Sequence, residues 1–165
     1  MRGRTNMYSK EIIQQALAFA KVQLSKDTTG HDDWHAIRVW KLAKKIALNE
    51  TCNQFVVELA AILHDIDDWK FNGGDLNRGG DVAREFLLKL GVDCIIADNV
   101  AAIITEISFK GANVKTPQLS IEAQIVQDAD RLDAIGAIGI ARAFSCGNAF
   151  KQKIHDSSIE PKLHD

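Results

Sequence analysis

An all-α, single-domain fold is what this sequence predicts, and three observations carry that prediction. Apolar residues recur at three- and four-residue spacing in six separate stretches. No run alternates with period two for long enough to demand a strand, and no internal repeat is found. The 165 residues, 46% apolar and 25% charged, have the size and balance of one compact globular domain.

The first helix is predicted over residues 9–26, where Ile13, Leu17, Ala20 and Leu24 share a face behind a Ser9 cap; residues 1–8 read as a leader. "KDTTG" breaks it. A second helix starts near Asp32 or Asp33, whose short carboxylates suit an N-cap and first turn, and runs to about Asn49 on a stripe of Val39, Leu42 and Ile46. Residues 53–66, "NQFVVELAAILHDI", are apolar on nearly every face, as a central helix surrounded by others must be. The polar, glycine-rich stretch 67–79 reads as a loop of functional length. A fourth helix over 80–90 carries Val82, Phe86 and Leu90 and stops at Gly91. A fifth, over 93–108, is placed by Ile96, Val100, Ile103, Ile104 and Ile107. After "SFKGANVKTPQL", Ser120 caps a last helix in which Ala123, Val126, Asp130 and Ala137 share a face. The folded domain is thus expected over 9–145, with 146–165 an irregular tail.

Composition excludes several classes of function. A net charge of −2 offers no basic groove for nucleic acid. The longest apolar stretch, Phe55 to Leu63, is too short to span a bilayer, and no signal-peptide series opens the chain. Three cysteines, Cys52, Cys94 and Cys146, imply neither a disulfide framework nor a zinc knuckle, which fits a reducing cytoplasm.

The informative residues are polar ones on apolar faces. His35 lies four residues before Val39 and seven before Leu42, so its imidazole is expected to point into the bundle. His64 and Asp65 end the most apolar helix, where an uncompensated carboxylate costs several kcal/mol. Asp130 repeats that problem on its own helix. Two histidines and two aspartates from three helices form the set that a borderline divalent ion prefers, although each alone also reads as a satisfied core polar residue. His31-Asp32 offers a second His-Asp pair, beside Gly30 and facing a loop.

"HDDWHAIRV" (31–39), "LHD" (63–65) and "DADRLDAIGAIGIAR" (128–142) resemble the HD-domain metal-dependent phosphohydrolases, over about residues 10–145. "ISFKG" (107–111) and "VQDADRLDA" (126–134) are similar to a small bacterial branch that includes nucleotide pyrophosphohydrolases, whose members generally continue through further C-terminal helices. The resemblance implies an HD-type bundle around a buried metal site. It implies His35, His64, Asp65 and Asp130 as ligands, with His31-Asp32 only preceding the first of them.

Two imidazoles and two carboxylates leave about two positions of an octahedral ion for water and a phosphate oxygen. The expected cofactor is one divalent ion, Mn²⁺ first. Mg²⁺ prefers an all-oxygen shell and Zn²⁺ usually takes four ligands, while Fe²⁺, Co²⁺ and Ni²⁺ stay open. A second ion would need more ligands, and no histidine occurs between His64 and His155. In the position range where related hydrolases carry an acidic pair stand Asp67 and Asp68, the catalytic candidates, with Asp68 the better placed by register. The candidate phosphate-binding cations are Lys110, Arg38, Lys70 and Arg131; Arg38 and Arg131 have the alternative of pairing with a buried carboxylate such as Asp133.

The resulting expectation is a phosphohydrolase that attacks a small phosphorylated partner, a nucleotide first, with a metal-activated water. The alternatives are a catalytically idle regulatory module that binds metal and nucleotide, and a purely structural bundle.

Overall fold

The computed structural model describes residues 2–67, 75, 77–107 and 118–160. Among them are seven helices and no strand: α1 (Arg2–Leu24), α2 (Asp33–Ala47), α3 (Gln54–Leu63), α4 (Arg78–Lys89), α5 (Cys94–Ile107), α6 (Ile121–Asp133) and α7 (Gly136–Ala149).

Capping explains the starts that matter for function. Asp32 accepts the His35 N–H at 2.8 Å and so begins α2. Asn53 accepts the Phe55 and Val56 N–H groups at the start of α3, and Ser120 accepts that of Ala123 at the start of α6. α3 is the centre of the bundle, touching α1, α2, α5 and α6. Leu59, Ile62 and Leu63 on it are completely buried, and each contributes roughly 1.5–3 kcal/mol of apolar burial.

Three expectations are corrected. α1 begins at Arg2, so Ser9 lies inside a helix rather than capping one; serine is tolerated there at a few tenths of a kcal/mol. α3 ends at Leu63, and His64 to Asp67 form a turn, so the His-Asp doublet has left the helix. The last helix is two: α6 stops at Asp133, Ile135 is extended, and Gly136 takes φ +70° before α7 begins. α7 then passes so close to the end of α6 that a Cβ at Gly139 would overlap the Ala134 carbonyl. Ala137 is therefore exposed and does not share the inward face of Ala123 and Val126. α7 also carries helix past Ser145, where the periodicity of the sequence fades.

Candidate metal centre

His35 projects from the first turn of α2, and its side chain is wholly buried. His64 and Asp65 come from the turn that closes α3, anchored by the buried Ile62 and Leu63. Asp130 stands one turn before the end of α6 and is the open side of the group, with 37% of its side chain exposed. Ligand atoms of His35, His64 and Asp130 all lie within 4.8 Å of one another.

Asp65 completes the set. The two Nε2 atoms are 3.2 Å apart, and Asp65 Oδ2 is 3.2 Å from each. Asp130 Oδ1 is 3.3 Å from His35 Nε2 and 3.8 Å from His64 Nε2.

The outer partners determine which ring nitrogen carries the proton. His35 Nδ1 faces Asp133 Oδ2 at 2.7 Å, and His64 Nδ1 faces the Ala61 carbonyl at 2.9 Å. A carboxylate and a carbonyl can only accept, so both Nδ1 atoms donate and both Nε2 lone pairs point inward. With both imidazoles neutral, the form in which they bind a metal, the two Nε2 lone pairs and the Asp65 and Asp130 oxygens face one another with no proton between them. Asp65 Oδ2 is buried with no hydrogen-bond partner, an arrangement a cation would relieve. Neighbouring ligands of an octahedral ion with bonds of about 2.1 Å stand about 3 Å apart, close to the 3.2 and 3.3 Å separations around His35 Nε2.

With no ion counted, the group holds itself together by shifting its own titrations. Burial by itself would lower the His35 pKa, but the Asp130 and Asp65 carboxylates close to its Nε2 overcome it and raise it to about 9, favouring a proton there when no ion is bound. His64 is raised in the same way, against burial, mainly by Asp65. Burial works to raise both Asp65 and Asp130, and the two imidazoles hold both below the usual carboxylate range.

Asp133 lies behind His35 with 4% of its side chain exposed. It accepts from Arg38 Nε at 2.7 Å and Nη2 at 3.0 Å, and from Arg142 Nη1 at 3.2 Å. Burial would raise its pKa, and the Arg38 and His35 hydrogen bonds keep it below the usual range. With both imidazoles neutral, three carboxylates and two guanidiniums leave one negative charge in excess here. A divalent ion would turn this into one positive charge, which suits an anionic substrate.

The other residues singled out in the sequence are placed as follows. Asp67 accepts from Arg78 Nε at 2.6 Å. Arg38 spends Nε and Nη2 on Asp133, the structural alternative raised for it, and Arg131 is exposed on α6. Asp68, Lys70 and Lys110 lie outside the described residues. His31 belongs to a turn in which Asp27 accepts from the Thr29 hydroxyl, whose oxygen accepts from His31 Nδ1 at 2.9 Å. Sequence reasoning missed Arg142 entirely and treated Asp133 only as a partner for arginine. The signal for Asp133 was its i, i+3 spacing from Asp130; for Arg142 there was none without the break at Gly136.

The HD domain family model matches residues 33–135, which takes in all four converging side chains. The chain belongs to the HD-domain phosphohydrolase superfamily. It is similar to YpgQ of Bacillus subtilis, 43% identical over 138 residues that cover 82% of this chain and 66% of YpgQ, just under two thirds of that protein. The crystal structure of Bacillus subtilis YpgQ in complex with ADP superposes with a TM-score of 0.69 at 35% identity, covering 88% of this chain and 73% of that one. An HD-superfamily hydrolase from Bacillus thuringiensis gives a TM-score of 0.68 at 37% identity, covering 93% and 73%. The fold is that of the HD-superfamily hydrolases, and no helix among the described residues is long and apolar enough to cross a membrane.

Proposed function

We propose that this HD-domain chain holds one divalent ion through His35, His64, Asp65 and Asp130 and hydrolyses a phosphoanhydride or phosphoester bond in a small nucleotide. The observation that carries the reading is Asp65 Oδ2, buried without a donor and 3.2 Å from two inward-facing imidazole lone pairs. A divalent ion there supplies Lewis-acid polarisation of a phosphate oxygen and acidifies an attacking water. Mn²⁺ is favoured because the set mixes imidazole with carboxylate, between the all-oxygen shell of Mg²⁺ and the four-ligand habit of Zn²⁺.

The chain's own residues do the positioning. Asp133 and the Ala61 carbonyl keep the two imidazoles in the tautomer that presents Nε2. Asp68, three residues beyond the doublet, is the proposed general base, because Asp67 is engaged by Arg78. Lys110 is the proposed phosphate contact, with Lys70 and Arg131 as further candidates. The ADP bound to YpgQ supports a nucleotide as the substrate class.

Metal analysis of the purified protein, followed by a screen for phosphate and pyrophosphate release over a nucleotide panel, tests the reading. About one equivalent of a divalent metal and metal-dependent release from at least one nucleotide is the expected result. A protein that takes up no divalent ion would overturn it.

A further inference from the structure

Arg142 is the one guanidinium of the described residues that reaches the converging donors, and it does so from α7, beyond the helix break. Its place is built. Nε donates to the Gly30 carbonyl at 2.7 Å, and Nη1 donates to Asp133 Oδ2 at 3.2 Å and to the Asp133 carbonyl at 3.4 Å. Gly30 takes φ +93°, and a Cβ there would come within 2.8 to 3.2 Å of Arg142 Cγ, Cβ and Cα, so the glycine makes room for this side chain. Only 13% of the Arg142 side chain is exposed. The remaining nitrogen, Nη2, lies 3.3 Å from His35 Nε2, the atom around which Asp65 Oδ2 and Asp130 Oδ1 also gather.

One imidazole lone pair cannot serve both an N–H donor and a metal ion. With Nε2 deprotonated, as an ion requires, a guanidinium 3.3 Å away competes with the ion for that lone pair and repels it as a like charge. Once the lone pair is taken, Nη2–H lacks an acceptor while Nε and Nη1 stay tied to Gly30 and Asp133. A part-buried charged donor without a partner is unfavourable, and an oxyanion arriving at the ion relieves it through a short, charge-assisted bond.

We propose that Arg142 couples ion binding to anion binding: it weakens capture of the ion alone and strengthens capture of the ion together with a phosphate group. This rests on the metal reading above. Coupling of this kind is reciprocal, so the ion must also tighten phosphate binding. A centre built this way holds its ion firmly only when substrate is present.

The test is titration of Mn²⁺ into the metal-stripped full chain, with and without inorganic phosphate, for the parent, Arg142→Gln, Arg142→Lys and Arg38→Gln. For the parent, phosphate should tighten Mn²⁺ binding. Arg142→Gln should bind Mn²⁺ alone more tightly than the parent, and its phosphate enhancement should shrink about fivefold or more. Arg142→Lys, which keeps charge but cannot span all three contacts, should move in the same direction and serves if the glutamine variant does not fold. Arg38→Gln removes the other cation on Asp133 and should weaken Mn²⁺ roughly 10- to 100-fold with the phosphate enhancement kept. If both Arg142 variants instead weaken Mn²⁺ as Arg38→Gln does and keep the enhancement, Arg142 is only a second prop for Asp133 and the proposal fails. A parent protein that binds no Mn²⁺ would sink the metal reading itself, and this proposal with it.

Discussion

His31-Asp32 and His64-Asp65 are the same two residues placed at opposite ends of a helix. Asp32 precedes α2, where backbone N–H groups are unpaired, and it accepts one of them at 2.8 Å. Asp65 follows α3, where the unpaired backbone groups are carbonyls, and its buried Oδ2 has no donor. A carboxylate at a helix N-terminus is satisfied locally, with the helix dipole in its favour; one at a C-terminus is opposed by that dipole and must find a cation elsewhere. The histidines differ in the same way. His31 Nδ1 is turned to Thr29 within its own turn, whereas His64 gives Nδ1 to Ala61 and aims Nε2 at His35 and Asp65. In the first pair Asp32 is a cap, and the second pair, denied a cap, is the one we propose holds metal.

The strongest way to break this contrast is to delete one histidine from each pair. His64→Ala should abolish metal binding, measured by elemental analysis after gel filtration, while His31→Ala should leave metal content nearly intact. The reverse result would exchange the roles of the two pairs. Next in size is the acidic residue that follows the second pair. Asp68→Asn should lower turnover roughly 10²- to 10⁴-fold with metal still bound. Lys110→Ala should act mainly on KM. Full activity in Asp68→Asn would remove the base assignment, and loss of metal there would make Asp68 a ligand or structural residue.

Much of this was legible beforehand because burial forces it. α3 had to be central, since a helix apolar on every face has no side for water. The inward register of His35 followed from Val39 four residues on, and Val39 is fully buried. What periodicity could not reveal was where a helix stops. The apolar positions continue in phase from Ala123 through Ala137, yet the backbone breaks at Gly136, a conformational event with no apolar signature. Everything beyond it, including the approach of Arg142 to His35, was hidden for that reason. The early end of α3 was hidden too, because Ile66 is buried and so keeps the pattern alive past Leu63.

The carboxylate of the second pair, set against His35, also predicts a pH signature. In the metal-free protein the His35 pKa is raised from 6.5 to about 9, against burial, by Asp130 and Asp65. A raised histidine stabilises fully below its unfolded pKa and loses that contribution as pH rises through the folded one. Metal-free protein should therefore lose up to about 3 kcal/mol between pH 6.5 and 9, seen as a falling Tm. With Mn²⁺ present the trend should reverse, because deprotonated Nε2 atoms bind the ion more tightly as pH rises. Parallel melting curves with and without metal across that window would contradict a shared buried site.

The smallest effect belongs to the first pair and isolates the cap from the metal. Asp32→Ala removes the acceptor for the His35 N–H, the first bond of α2, and an N-cap of this kind contributes about 0.5–2 kcal/mol. In a domain of this size that is a fall in Tm of a few degrees. The His35 side chain is held independently, by Asp133 at Nδ1 and by burial in the bundle, so its Nε2 stays where it is. Mn²⁺ affinity should then change by less than about tenfold, the low end of what loss of an orienting partner does. Asp32→Asn should restore the melting temperature, since an amide oxygen caps as well as a carboxylate. If Asp32→Asn retained the cap but lost metal, the Asp32 charge itself would be serving the ion, and the contrast between the two pairs would collapse.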